Sequence, residues 1–333
     1  MGRPAQHSMN LPAGRFTTPA LWILAAATLC LPRPARPITS GRGDAPPAPS
    51  ALMTRAVWDR DALASAGVRS PERLLYGPDG TLFVLDGESR RIVALDPAGR
   101  AVRSVGGYGS DDASLQVPVD LVLDRRGSLL VLDRARGAVV AFDPAGRFLT
   151  SRPLAGEALE EGRTPGARLL QDSFGSLWLL APSARDVMPL DEGLGPARVS
   201  RFLEPRDSLS APALAAFAPA GGGWVYDAGS RALRRFGSDG RLSLRVAAGD
   251  SASGAPADLA ADSSGALLIA DPAGQRIVVL APSGVPAVTR YLGGTSSPWR
   301  PTALAVGPGG LLAVADIERD EIQILSIERE APP

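Results

Sequence analysis

A five-residue skeleton of Pro, Gly, Asp, an aliphatic residue and Gly recurs along this chain and restricts its possible folds more than any other feature. In the fifth copy it consists of Pro256, Gly265, Asp271, Ile277 and Gly284. The first copy, which begins at Pro71, has the same internal spacings. Six glycines occupy the second position at intervals of 44–48 residues: Gly80, Gly127, Gly175, Gly221, Gly265 and Gly310. A period of this length indicates stacked supersecondary units.

Each copy predicts four short strands joined by tight turns. The residues between the anchor glycine and the aspartate are nearly all apolar, as in 81–85 (TLFVL) and 266–270 (ALLIA). Such runs, bounded by turn residues, indicate buried strands, because a helix needs about ten or more residues. The sequence therefore predicts an all-β, six-bladed β-propeller of four-stranded blades. The blades are expected near 70–107, 117–155, 164–204, 211–248, 255–293 and 300–328.

The last unit has strands near 311–315 and 321–326 but no fourth strand after them. Segment 52–58, ahead of the first copy, has no partner of its own. We expect it to supply the outer strand of the last blade, because closure of the ring removes open sheet edges. The predicted propeller thus spans 51–329, with 330–333 as a tail.

The repeats resemble those of the NHL family, which form six-bladed propellers. The resemblance is carried by 82–100 (LFVLDGESRRIVALDPAGR) and 267–284 (LLIADPAGQRIVVLAPSG), including the Arg-Ile pairs that start at Arg91 and Arg276. The family's usual Asn in the polar loop is missing, and the third copy has Ala181 in place of Asp. The resemblance covers about 51–329. It implies the six-bladed fold of an exported bacterial member of the family and does not imply a particular activity.

An aspartate closes the second predicted strand in five of the six copies. A carboxylate at this position can accept hydrogen bonds from backbone N–H groups two or three residues further on. We interpret these residues as part of the fold, because a catalytic residue should break the repeat. They are Asp86, Asp133, Asp227, Asp271 and Asp316.

The first forty residues predict an export segment. Arg15 precedes the apolar run 21–31, which prolines then interrupt, and this order is typical of a secretory signal. The alternatives left open are cleavage, retention as a short membrane anchor, and lipidation at Cys30, the only cysteine. Residues 41–50 are rich in Pro and Gly and predict a flexible linker. We expect the protein in the periplasm, the cell envelope or the extracellular space.

Charge and residue types exclude several classes of function. The chain carries 35 basic residues, all Arg, against 35 acidic ones, so no basic field favours nucleic acid. The only histidine is His7 and the only asparagine is Asn10, both ahead of the propeller. Histidine-based hydrolysis and histidine-ligated metals therefore lack their residues in 51–329. We expect a monomer that contacts a membrane only through an uncleaved or lipidated N-terminus.

Propellers usually place function around the channel, where the inner strands begin. Four charged residues just after the repeat prolines are predicted to ring this mouth: Arg73, Asp120, Arg168 and Asp258. Tyr108, Trp299 and Arg300 are expected in inter-blade loops on the same side. The set is suited to a small polar or carbohydrate-like ligand. The competing interpretation is a channel lined by mutually paired charges and water.

Two functions follow from these features. The favoured hypothesis is an exported, non-catalytic scaffold without a cofactor that binds a protein, peptide or glycan. The alternative is a metal-dependent hydrolase or lactonase similar to the gluconolactonase-type propellers. In that case Glu72, Asp120 and Asp258 would offer oxygen ligands to Ca²⁺ or another divalent cation.

Overall fold

The computed structural model describes residues 49–197, 209–219, 221–250, 252–294 and 297–329. All of them belong to one compact unit, Ala45–Pro333. The predicted export segment, most of the predicted linker and the tail lie outside the described residues. No helix within the described ranges is long and apolar enough to cross a membrane.

The described chain is almost entirely β-structure. In chain order the strands are β1 (Pro49–Trp58), β2 (Pro71–Tyr76), β3 (Leu82–Asp86), β4 (Arg91–Leu95), β5 (Ala101–Gly106), β6 (Pro118–Leu123), β7 (Leu129–Asp133), β8 (Ala138–Phe142), β9 (Phe148–Pro153), β10 (Arg168–Gln171), β11 (Leu177–Ala181), β12 (Asp186–Pro189), β13 (Pro212–Phe217), β14 (Gly223–Asp227), β15 (Ala232–Phe236), β16 (Leu242–Ala247), β17 (Asp258–Ala261), β18 (Leu267–Asp271), β19 (Arg276–Leu280), β20 (Pro286–Tyr291), β21 (Gly293–Gly294), β22 (Ser297–Pro298), β23 (Ala303–Val306), β24 (Leu311–Asp316) and β25 (Glu321–Arg329). Two short helices, α1 (Arg60–Ser65) and α2 (Glu157–Gly162), and two 3₁₀ turns, Ala248–Asp250 and Pro308–Gly310, complete the elements.

The strands form six antiparallel sheets, which confirms the predicted six-bladed propeller. Blades 1, 2, 4 and 5 each have four consecutive strands, beginning with β2, β6, β13 and β17. Blade 3 has β10, β11 and β12 within the described ranges, and its predicted outer strand falls in 198–208, outside them. β21 and β22 form a separate two-stranded ladder.

The N-terminal strand closes the ring, as predicted. Blade 6 has the order β1-β25-β24-β23. β1 pairs antiparallel with β25, from Pro49 opposite Arg329 to Trp58 opposite Ile322. The Trp58 indole also lies against Gly99 in a turn of blade 1, where a Cβ would meet the ring at 2.7 Å. The first strand therefore joins the last blade to the first.

Helix α1 is a feature that periodicity did not predict. Its six residues are too few for an apolar 3.6-residue period to emerge. The Asp59 side chain caps the helix by accepting a hydrogen bond from the Ala62 N–H at 3.0 Å, and Leu63 is buried. The helix lies in the connection between β1 and β2, the inner strand of blade 1.

The core lies between neighbouring blades, which explains the apolar runs. Strand β3 is buried on both faces. Val84 belongs to a cluster shared with blade 6 strands β23 and β24. Its neighbour Leu85 belongs to a cluster shared with blade 2 strands β6 and β7. Since successive side chains of a strand point to opposite faces, each second strand must be apolar throughout.

The five repeated aspartates are fully buried at the end of the second strand, beside the start of the inner strand. Asp133 accepts hydrogen bonds from the Gln116 and Val117 N–H groups, at 2.7 and 3.1 Å, just before strand β6 begins. Asp227 accepts one from the Ala211 N–H at 2.7 Å, just before β13. The carboxylates therefore anchor the chain ahead of the inner strand. Asp133, Asp271 and Asp316 also accept from N–H groups two or three residues further on.

Candidate functional site

The inner strands of all six blades surround a cavity of about 160 Å³ on the propeller axis. Its charged lining residues are Arg73, Asp120, Arg168 and Asp258. Gln171 is a further polar residue, and the remaining walls are formed by Leu, Val and Ala side chains. The four charged residues that sequence analysis placed around the mouth are therefore brought together.

The register of the sheets explains why these four side chains meet. Each stands opposite the residue that precedes the aspartate position of the second strand, as Arg73 opposite Leu85 and Asp258 opposite Ala270. Asp120 and Arg168 have the same register. In blades 1 and 2 an irregularity follows the repeat proline, and a bulge there redirects the next side chain.

The two aspartates also connect adjacent blades. Asp120 in blade 2 accepts a hydrogen bond from the Leu169 N–H of blade 3 at 3.1 Å. Asp258 in blade 5 accepts one from the Leu304 N–H of blade 6 at 3.0 Å. The other Asp120 oxygen accepts from the Leu121 N–H at 3.0 Å. Each carboxylate thus has a structural role, which sequence analysis missed because the donors lie about 46–49 residues away.

Burial shifts the pKa values of two charged side chains in the cavity. Removal from water raises the pKa of Asp120, against the opposing effect of the Arg168 and Arg73 charges. Burial likewise lowers the pKa of Arg73, and the positive charge of Arg168 lowers it further. Asp120 therefore takes up a proton at a higher pH than an ordinary aspartate does.

The cavity charges do not pair with each other. Among the described residues, neither Arg73 nor Arg168 has an ion-pair partner, and Arg168 has no side-chain hydrogen bond. Arg73 donates from Nη1 to the Glu72 carbonyl at 2.6 Å, while its Nε is buried without a partner. The interpretation of a channel lined by mutually paired charges does not describe this arrangement.

The other predicted site residues lie elsewhere. Trp299 is buried in the core and donates from its indole to Glu321 at 3.0 Å. Tyr108 is 69% exposed and donates to the Glu88 carbonyl at 3.1 Å. Arg300 forms an exposed ion pair with Glu318. None of the three lines the cavity.

The residues do not fit the metal site considered from sequence. The Glu72 side chain packs against Gly87 and does not line the cavity. Asp120 and Asp258 share it with two guanidinium groups, which repel a divalent cation. No group of three or more His, Cys, Asp or Glu among the described residues has the arrangement of a metal site.

A second, wider cavity of about 590 Å³ lies where the inner strands end. Val122 and Gln171 line both cavities, so the two adjoin. Tyr76 lies in the wider one with its ring against Gly307, and burial raises the pKa of its hydroxyl to about 12. The residues predicted from the sequence lie only at the end where the strands begin, so this side of the channel was not predicted.

No protein-family model matches the sequence, and no curated protein is similar to it in sequence. Solved structures share the fold. A streptogramin B lyase has a TM-score of 0.59 at 13% identity, covering 84% of this chain and 97% of its own. A gluconolactonase from Xanthomonas campestris has 0.54 at 18% identity, covering 85% and 97%. The calcium-binding protein regucalcin from Agrobacterium tumefaciens has 0.55 at 16% identity, covering 80% and 92%.

These similarities confirm the propeller and correct the functional preference. Sequence analysis favoured a non-catalytic scaffold because the usual catalytic residue types are missing. The lyase and the gluconolactonase are enzymes by name, so this form of propeller carries catalysis in known proteins. The preference for a non-catalytic scaffold was therefore wrong. The similarities favour its alternative, a metal-dependent hydrolase or lactonase, although the residues of this cavity do not fit the metal.

Proposed function

We propose that this protein is a hydrolase that opens a small lactone or ester in its central channel. The observation that supports it is the placement of Asp120, a carboxyl group of raised pKa, between Arg73 and Arg168 in one cavity. Perturbed carboxyl groups beside fixed positive charges are typical of acid–base catalysis. Because the residues do not fit a divalent cation, no step of the proposed reaction depends on one.

Asp120 is the proposed general base. It accepts a proton from a water molecule as the water oxygen bonds to the substrate carbonyl carbon, and the carbonyl oxygen becomes an oxyanion. The carbon–oxygen bond of the ring then breaks, and the leaving oxygen takes the proton back from Asp120. Each Asp120 oxygen accepts one backbone N–H, which leaves a lone pair for this transfer.

Arg73 and Arg168 are proposed to stabilise the oxyanion. Fixed donors directed at a developing negative charge are often the largest single contribution to catalysis. The aliphatic walls of the cavity lower the local dielectric constant and strengthen the interaction. Arg73 and Arg168 lie in blades 1 and 3, on either side of Asp120 in blade 2, so donors and base can approach one carbonyl together.

Turnover of a lactone panel by the purified protein tests the proposal. We expect hydrolysis of five- or six-membered aldonolactones, followed as acid release, to persist in the presence of a chelator. Asp120→Asn should lower kcat/KM by about 10²–10⁴-fold, the usual contribution of a general base. Asp143→Asn is the matched control, because Asp143 also accepts two backbone N–H bonds but lies in an exposed turn.

Two results would contradict this assignment. One is the absence of turnover with every lactone and aryl ester of the panel. The other is an Asp120→Asn variant that keeps the wild-type rate while remaining folded by circular dichroism.

We also propose that the chain is a divergent NHL-type propeller that is exported and monomeric. The repeat pattern around Arg91 and Arg276 supports the family, and the apolar run 21–31 after Arg15 supports export. The intact mass of the protein recovered from the cell envelope separates a cleaved, a lipidated and a retained N-terminus. Recovery of the full-length chain in the cytoplasm alone would contradict export.

A further inference from the structure

The two cavity arginines differ from three arginines of the propeller that are buried or half-buried in ion pairs. Arg234, Arg276 and Arg329 each form an ion pair with a fully buried aspartate, at 2.8, 2.9 and 2.7 Å. Arg73 and Arg168 have no such partner among the described residues. In the described part of the chain, Arg91, Arg103 and Arg235 are half-buried and also lack an ion pair, but only Arg73 and Arg168 line the axial cavity.

The unused donors of Arg73 carry a free-energy cost. A guanidinium group has five N–H donors, and Arg73 uses one of them on the Glu72 carbonyl. Its Nε is enclosed without an acceptor. A buried donor left unpaired destabilises the protein. An acceptor that enters the cavity would recover part of this cost, so the site favours a ligand rich in oxygen lone pairs.

The neighbouring aspartates do not supply those acceptors. One oxygen of Asp258 and both oxygens of Asp120 already accept backbone N–H bonds from inner strands. These bonds hold the two carboxylates in place. All four charged side chains line the cavity, where backbone N–H groups hold the two carboxylates and the two guanidinium groups keep unused donors.

We propose that Arg73 and Arg168 form an anion site that binds a small organic carboxylate. Guanidinium forks match carboxylates in bidentate geometry. The volume of about 160 Å³ lies below the ~300–1,000 Å³ of ordinary ligand pockets, which favours a molecule of sugar-acid size over a peptide or an oligosaccharide.

The carboxylate class deepens the proposed function and rests on it. Opening a lactone produces a hydroxycarboxylate, and the groups that stabilise the oxyanion would then contact the carboxylate of the product. The hydroxy acid should therefore bind to the resting protein and inhibit turnover competitively.

Calorimetric titration of the full chain with gluconate, its uncharged analogue sorbitol, and sulfate tests the anion site. We expect one gluconate bound per chain, with no measurable binding of sorbitol and weaker binding of sulfate. Arg168→Gln and Arg73→Gln should each weaken gluconate binding at least tenfold. The control Arg147→Gln removes an exposed arginine that is paired with Asp143, and it should bind as the wild type does.

The outcomes separate the two proposals. Gluconate binding without any lactone turnover would overturn the hydrolase and leave the anion site standing. Turnover without gluconate binding, or equal binding by wild type and Arg168→Gln, would overturn the anion site alone. Sulfate binding as tight as gluconate would overturn the carboxylate class. Arg168→Gln serves where Arg73→Gln fails to fold, because Arg168 has no side-chain hydrogen bond among the described residues to lose.

Discussion

At the scale of single residues, two sets of aspartates have different roles, one in anchoring the chain and one in lining the channel. Asp86, Asp133, Asp227, Asp271 and Asp316 recur in the repeat and anchor the chain ahead of each inner strand. Asp120 and Asp258 occur in two blades only and face the channel. Recurrence along the chain therefore distinguished carboxylates that build the fold from those available for chemistry.

The anchoring role makes Asp133 essential for stability. Asp133→Ala leaves the part-buried Gln116 and Val117 N–H groups without their acceptor. We expect the free energy of unfolding to fall by about 2–4 kcal/mol, from a cost of ~1–3 kcal/mol for each unpaired group. Urea denaturation measures the change. The exposed Asp112→Ala should remain within about 0.5 kcal/mol of wild type, and equal effects of the two substitutions would refute the anchor.

The raised pKa of Asp120 predicts an acid limb in the activity profile. The proposed base must be ionised, so kcat/KM should fall as the pH drops through a pKa above the ordinary aspartate range. Burial and the Asp258 charge raise that pKa, while Arg168 and Arg73 lower it. Arg168→Gln should therefore move the limb to higher pH. A limb that stays in place would show that another group titrates.

At the scale of elements, β1 is the strand on which the ring depends. Leu52 is 2% exposed and packs between blades 5 and 6, whereas Met53, next to it, is 52% exposed. These two neighbouring residues lie on the buried and the exposed face of β1, so substitutions at them can be compared directly.

Substitution of that pair tests the closure. Leu52→Asp buries a charge in the core and should lower the free energy of unfolding by more than about 3 kcal/mol, or prevent folding. Met53→Asp should change it by less than about 0.5 kcal/mol. Thermal denaturation compares the two variants, and similar melting temperatures would mean that β1 is not part of the folded unit. Deletion of 51–60 should abolish the folded state.

At the scale of the whole molecule, each blade is stable only between its neighbours. The core clusters join residues of adjacent blades, as those of blades 1 and 6 and of blades 1 and 2 do. A closed ring has no terminal unit at which unfolding can begin. All six blades should therefore unfold together in one cooperative transition.

We expect a single unfolding transition. Tryptophans lie in different parts of the ring: Trp58 in the closing strand, Trp178 in blade 3, Trp224 in blade 4 and Trp299 before the inner strand of blade 6. Their fluorescence and the far-ultraviolet circular dichroism should change at the same denaturant concentration. Two separated transitions would indicate that some blades unfold independently.

The sequence by itself determined the number of blades, the short buried strands and the ring closure, since all three follow from a repeat period and from which stretches are apolar. It also located Arg73, Asp120, Arg168 and Asp258 just after the prolines. Only the tertiary structure decided what these four residues do together. Their meeting depends on the packing of blades whose inner strands lie more than forty residues apart in the chain, and backbone N–H groups of the neighbouring blades hold the two aspartates there. Such contacts leave no local pattern in a sequence, and the same is true of Trp299, which looked like a site residue and is buried in the core.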